Sequence, residues 1–222
     1  MAVPLMALAI SPIQAAAILL PILCLMDVFS VWAWRGQWLW SELKLLLPAS
    51  LIGIVLGSVL FEFMNPSAIR LILGVIAISF TIHHWMGVFF KSNEAQQGAK
   101  PVWGAAAAAT GGFTSFIAHS GGPPISMYLL KRNIDRGSFA ATTVFLFFAI
   151  NYAKLIPYTW LGQFDVSNLT TSLVLAPLAP VGVYTGVWLH KRVSDELFFK
   201  IAYSLLFVVG IKLLWDGVSA IY

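Results

Sequence analysis

Charge is what this chain has least of: thirteen Lys and Arg and nine Asp and Glu stand among 222 residues, and 59% of the residues are hydrophobic. With a mean hydropathy of +0.86, that balance excludes an ordinary soluble domain. Cysteine is almost missing too. Cys24 stands alone in an apolar run, so there is neither a disulfide framework nor a thiolate metal site, and it reads as a small packed residue. The net charge of +4 is spread over short loops, with no basic and aromatic interleaving, which argues against nucleic acid as a partner. No charged n-region precedes "MAVPLMALAI" and no small-residue cleavage pattern follows it, so a removable signal peptide is not expected. What is abundant is apolar sequence in runs of bilayer length, where about 20 residues cross a hydrocarbon core of roughly 30 Å. The expectation is a multi-pass membrane protein forming one bundle.

Eight apolar segments can be drawn, at 1–10, 13–34, 43–63, 68–90, 102–130, 137–160, 166–189 and 197–220. Backbone polar groups in lipid must be satisfied within the segment, and the alternation of a barrel strand is lacking, so each segment is expected to be helical. Trp32, Trp34, Trp38, Trp40, Trp103, Tyr158 and Trp160 collect near segment ends, as interfacial anchors do. The ten apolar residues before Ser11 and Pro12 are too few to span. Either that segment is re-entrant or an N-terminal part is missing.

The halves resemble each other. Pro4 matches Pro124, Asp27 matches Asn151, Gln37 matches Gln163, Gly53 and Gly57 match Gly182 and Gly186, and "WMGV" at 85 matches "WDGV" at 215. The offset grows steadily along the chain, as a duplication with loop insertions requires. This gives a first repeat over 1–90, a connecting loop over 91–101 and a second repeat over 102–222. The Gly-x-x-x-Gly pairs permit close helix approach in both. If all eight segments cross, seven loop charges (Arg70, Lys131, Arg132, Arg136, Lys191, Arg192, Lys200) face four (Arg35, Lys44, Lys91, Lys100). If segments 1 and 5 dip in and return, ten of these eleven fall on one side and Arg70 alone on the other. The positive-inside bias favours the second arrangement, which makes the halves inverted repeats. The fold class expected is an all-α membrane helix bundle of two homologous four-segment repeats with segments 1 and 5 broken or re-entrant.

Segment 5 carries a polar knot. Gly111-Gly112 and Gly121-Gly122-Pro123-Pro124 are read as unable to continue a helix, since glycine is permissive and proline removes donors. Non-helical backbone at membrane depth survives where protein buries it or water reaches it, so the break is expected to line a cavity. Free amides at a helix start near Pro124 suit an anion, and Ser115, His119, Ser120 and Ser126 could add donors. A simple kink, its hydroxyls bonded back to the backbone, is the alternative. His119 is either a structural donor or a substrate contact. His83 and His84 diverge around a helix and form no metal pair by themselves, and no partner for a Ser/His protease reading is evident. Asp27 lies deep in segment 2, where a charge costs about 2.5–3.5 kcal/mol. Its repeat partner is Asn151, with Lys154 one turn further on. A structural contact, a proton-coupling carboxylate, or a Lys154 that snorkels beside Tyr158 all remain open. Asn168-Leu169-Thr170 fits a glycosylation sequon but reads as incidental.

The residues "GGFTSFIAHSGGPPISMYLL" and "AATTVFLFFAINYAKLIPYTWLGQ", with "VPLMALAISPIQAAAILLPILCLMD" in the first half, resemble the sulfite exporter TauE/SafE family, also called the TSUP family of anion permeases. The similarity covers nearly the whole chain. It implies a secondary transporter of sulfite, sulfonates or related organosulfur anions in the bacterial inner membrane, and no enzyme. Gly121, Gly122 and Pro123 correspond to the family's second-half glycine motif. Its first-half counterpart would precede "VPLMAL", where Met1-Ala2 stands, so half of a pseudo-symmetric site is expected to be missing. The expected substrate contacts are Ser115, His119, Ser120, Gly121, Gly122 and Pro123, with Asp27, Asn151 and Lys154 tuning charge or coupling. No cofactor or metal is expected. The partners are a small anion, membrane lipid and a coupling proton or cation, with a homo-oligomer left open. A passive anion channel and a non-transporting scaffold are the alternatives.

Overall fold

The structure, a computed structural model, describes residues 2–89, 100–132, 134–182, 185 and 195–220, and at some of these, His83 and His84 among them, the backbone alone. Gly186, Lys91, Lys191 and Arg192, used in the sequence reading, lie outside the described residues, as does most of the 91–101 loop. The elements are helices α1 (Ala2–Met6), α2 (Pro12–Ala33), α3 (Trp40–Glu62), α4 (Pro66–Phe89), α5 (Pro101–Ala118), α6 (Gly122–Leu130), α7 (Arg136–Trp160), α8 (Val166–Leu175) and α9 (Asp195–Ser219). Among the described residues there is no strand.

Local chemistry starts these helices where they start. Side-chain oxygens of Ser11, Asn65, Asp135 and Asp165 accept from the backbone N–H three residues on, relieving a donor that a helix start leaves unpaired. Pro12, Pro66 and Pro101 open α2, α4 and α5, where a missing N–H costs nothing. Pro12–Ala33, Trp40–Phe61 and Gly137–Trp160 are long and apolar enough to cross a membrane. Polarity is turned inside out, as lipid demands: Ile52, Val55, Phe63 and Ile156 are exposed, whereas Lys154, Thr142 and Ser115 are buried.

The chain divides into two compact units. One contains residues 1–22, 65–89 and 164–222. There α4 and α9 run antiparallel, with Gly74 against Leu214, Gly210 against Ile78 and Gly217 against Leu71. The Ser172 hydroxyl donates to the Ile18 carbonyl at 2.8 Å and ties α8 to α2. The other unit contains residues 23–64 and 90–163. In it α3 and α5 run parallel, Gly53 meeting the Ala109 carbonyl, Gly112 the Ser50 carbonyl and Gly57 the Phe116 ring. Small residues at 53 and 57 thus serve the close approach expected of them. In the second half, Gly182 has open space around it.

Two expectations are corrected. Gly111-Gly112 does not break segment 5: both residues are helical and buried in α5. Their missing side chains admit neighbours instead, Ile125 and Gly121 at Gly111 and the α3 backbone at Gly112. Segment 7 is not one continuous helix, since α8 stops at Leu175 and a turn at Ala176-Pro177 follows. Pro177 has no N–H for the carbonyl four residues back and its ring crowds it.

Candidate functional site: a broken helical hairpin held by a buried lysine

Segment 5 does break, and it doubles back. Gly121 and Ile125 lie against Gly111, and Tyr128 lies against Gly104, so α6 returns antiparallel along α5. The break occupies residues 119–121. His119 adopts the left-handed conformation, φ 50° and ψ 35°, the one non-glycine residue with positive φ among those described. Its N–H bonds the Ser115 carbonyl at 3.0 Å and that of Ser120 bonds the Thr114 carbonyl at 3.3 Å, a helix ending that ordinarily uses glycine at this position. A side chain there costs on the order of 1–2 kcal/mol. A histidine holds this position although glycines follow at 121 and 122.

The ring meets Lys154. Its Nζ lies 2.7 Å from His119 Nδ1 and 3.1 Å from both the carbonyl and the hydroxyl of Ser115. Lys154 is wholly buried, and the end of α5 makes that tolerable, because its last carbonyls carry partial negative charge. Tyr158, one turn along α7, donates to the Phe116 carbonyl at 2.7 Å. Tyr158 therefore satisfies a carbonyl that the early end of α5 leaves without a helical partner, and Lys154 adds a second donor to the Ser115 carbonyl beside the His119 N–H. An ammonium has three hydrogens, and Lys154 has three acceptors. With Lys154 protonated its nitrogen can only donate, so Nδ1 accepts and the ring proton sits on Nε2.

The remaining expected residues fall into place around this contact. Gly121 is buried, with the Gly111 carbonyl and Ser115 Cβ where its side chain would be. Gly122 has nothing within 4 Å in that direction, and it, Ser120, Pro123 and Ser126 are half-buried. The Ser120 hydroxyl donates to the Ala118 carbonyl at 3.1 Å. Helix α6 begins at Gly122 with prolines at 123 and 124, so the run of free amides expected near Pro124 shrinks to those of Gly121 and Gly122, Ile125 N–H being the first to bond within the helix. Asp27 and Asn151, matched as repeat partners, touch directly: Asn151 Nδ2 donates to Asp27 Oδ2 at 2.6 Å. Asn151 shares a face of α7 with Lys154, three residues on.

One cluster escaped the sequence reading. Glu42, buried in the first turn of α3, accepts from the Tyr128 hydroxyl at 2.9 Å and from Arg132 Nε at 2.8 Å. It fastens the outer end of α6. Its only local signal was a carboxylate in a first helical turn, which suits the helix dipole wherever it occurs and says nothing of a partner 86 residues away.

No curated protein and no solved structure matches the chain. A family model does match, that of the sulfite exporter TauE/SafE, over residues 1–213 of the 222. The match spans both halves, the α5–α6 break and the polar faces of α2 and α7, and the chain belongs to the sulfite exporter TauE/SafE family of membrane transport proteins.

Proposed function

We propose that the chain is a secondary transporter that moves sulfite, a sulfonate or a related small sulfur oxyanion across the bacterial inner membrane by alternating access, with the α5–α6 break as an anion site. The observation that carries this reading is the left-handed His119 whose Nδ1 lies 2.7 Å from the Nζ of buried Lys154. The anion meets the His119 Nε2–H and the amides at Gly121 and Gly122, and the Ser120 hydroxyl reaches it by turning away from the Ala118 carbonyl. All three Lys154 hydrogens are engaged, so Lys154 acts on the anion by its field, which is strong where water is scarce. Asp27, bonded to Asn151, is the carboxylate placed to take a coupling proton. The hairpin's return along α5 supports a re-entrant segment 5, and with it inverted repeats over 1–90 and 102–222 that rock about the site.

The test is sulfite flux in proteoliposomes, with sulfonates and sulfate as competitors, for the wild type and Gly122→Leu. The open space at Gly122 lets a leucine occupy the anion's approach without disturbing the hairpin. Saturable flux with countertransport in the wild type, lost in Gly122→Leu protein that still inserts, is the expected result. Unsaturable flux would make the protein a channel, and undiminished flux in Gly122→Leu would remove the site from the hairpin.

A further inference from the structure

If segments 1 and 5 dip and return, Arg70 is the cation left on its own side of the membrane, and the structure gives it surroundings the proposed transport site does not use. It stands one turn into α4 and lines an open cavity of about 510 Å3 with the turn Ala7–Ser11, Asp216 and Ser219. Among the described residues no hydrogen bond or ion pair reaches its guanidinium. Arg132, by contrast, is held by Glu42 at 2.8 Å. The carboxylate in the cavity is already committed: Asp216 takes Lys212 Nζ at 2.9 and 3.2 Å. With that pair neutral, Arg70 leaves the cavity one net positive charge. The 22-residue helix α2 starts at its edge, where Ser11 Oγ accepts from the Gln14 N–H at 3.1 Å and keeps its own hydrogen to donate.

We propose that this cavity is a second anion site, separate from the α5–α6 break, and that its ligand is an oxyanion head of three or more oxygens gripped by Arg70. A guanidinium is a planar fork matched to two such oxygens at once, and the α2 start adds partial positive charge from the other wall. A sulfite or sulfonate passing through the protein and the phosphate of a lipid headgroup share this chemistry. The site needs no part of the hairpin assignment, because every residue that builds it lies in the unit that lacks the hairpin.

The experiment measures equilibrium binding of inorganic sulfite, sulfate and phosphate to the purified full chain in a neutral detergent. Gly122→Leu, which closes the hairpin, should keep one anion site. Adding Arg70→Gln in that background should weaken it by about tenfold or more, and Arg70→Lys should weaken it less. Monodispersity on size exclusion controls for folding, and the lysine variant keeps the test valid should the glutamine fail to fold. Repeating the measurement in phosphatidylcholine nanodiscs with and without phosphatidylglycerol separates the sources. Competition by the anionic lipid assigns the site to a headgroup, and indifference assigns it to the soluble anion. Unchanged stoichiometry and affinity in the Arg70→Gln protein, or no binding of any of the three anions by Gly122→Leu, would overturn the proposal. Loss of sulfite flux alone would not, since it bears on the hairpin site.

Discussion

Lys154 illustrates how a buried charge can be structural and functional at once. It was legible in the sequence as an outlier in an oily helix, but its partners were not: Ser115 and His119 are 39 and 35 residues away, and nothing local points from one to the other. Removing it should cost on the order of 1–3 kcal/mol, because its hydrogen bonds to the Ser115 carbonyl and hydroxyl are lost, although that carbonyl keeps the His119 N–H. It should also release the ring. In the wild type, nitrogen NMR of labelled His119 should show the Nε2–H tautomer, and in Lys154→Met a mixture of both; an unchanged tautomer would mean that Lys154 does not set it. The glycines divide in the same way. In sequence Gly121 and Gly122 are equivalent, yet a side chain at 121 meets the Gly111 carbonyl and Ser115 Cβ whereas one at 122 meets nothing. Gly121→Ala should therefore lower thermal stability in detergent, by an overpacking cost of about 1–3 kcal/mol, and Gly122→Ala should leave it unchanged.

At the scale of elements, apolar run length found every long helix among the described residues, because lipid admits helical backbone almost alone. It failed where composition could not tell a permissive residue from a broken one. Gly111-Gly112 continues α5 since glycine tolerates helix and the neighbours pack into the space, while Pro177 interrupts the apolar stretch LVLAPLAPV. Caps were more telling than glycines. Asp135 stands ahead of α7 and outside the span, accepting from the Ser138 N–H at 3.0 Å. Hydrogen bonding from the Ser138 side chain, and second from that N–H, holds its carboxyl below the usual range. A group whose folded value is depressed contributes its stability above its unfolded value and loses it as pH falls through the folded one. The first turn of α7 should thus resist hydrogen exchange at neutral pH and lose part of that protection below about pH 4, whereas Asp135→Asn, still a competent cap, should show no such acid step.

For the whole molecule, the drifting offset between the halves was the most informative sequence signal. It paired Asp27 with Asn151, and the structure joins those two side chains at 2.6 Å. The sense of the proposed duplication rests on whether segment 5 crosses. Lys100 precedes α5 and Lys131 follows α6, so if the hairpin only dips, both belong on one side, with Met64, between α3 and α4, on the other. Cys24 is the single cysteine to remove. In a Cys24→Ser background, an impermeant maleimide added to intact cells should label Met64→Cys and leave Lys100→Cys and Lys131→Cys unlabelled until the membrane is opened. The positive charge around both lysines requires that side to be cytoplasmic. Labelling of Lys100→Cys and Lys131→Cys from opposite sides would make α5 and α6 a crossing, turn the repeats parallel, and place Arg70 on the same side as Lys131. The lone-cation reading that singles out Arg70 and the rocking of inverted halves would then fall together, while anion binding in the Arg70 cavity would stand or fall by its own titration.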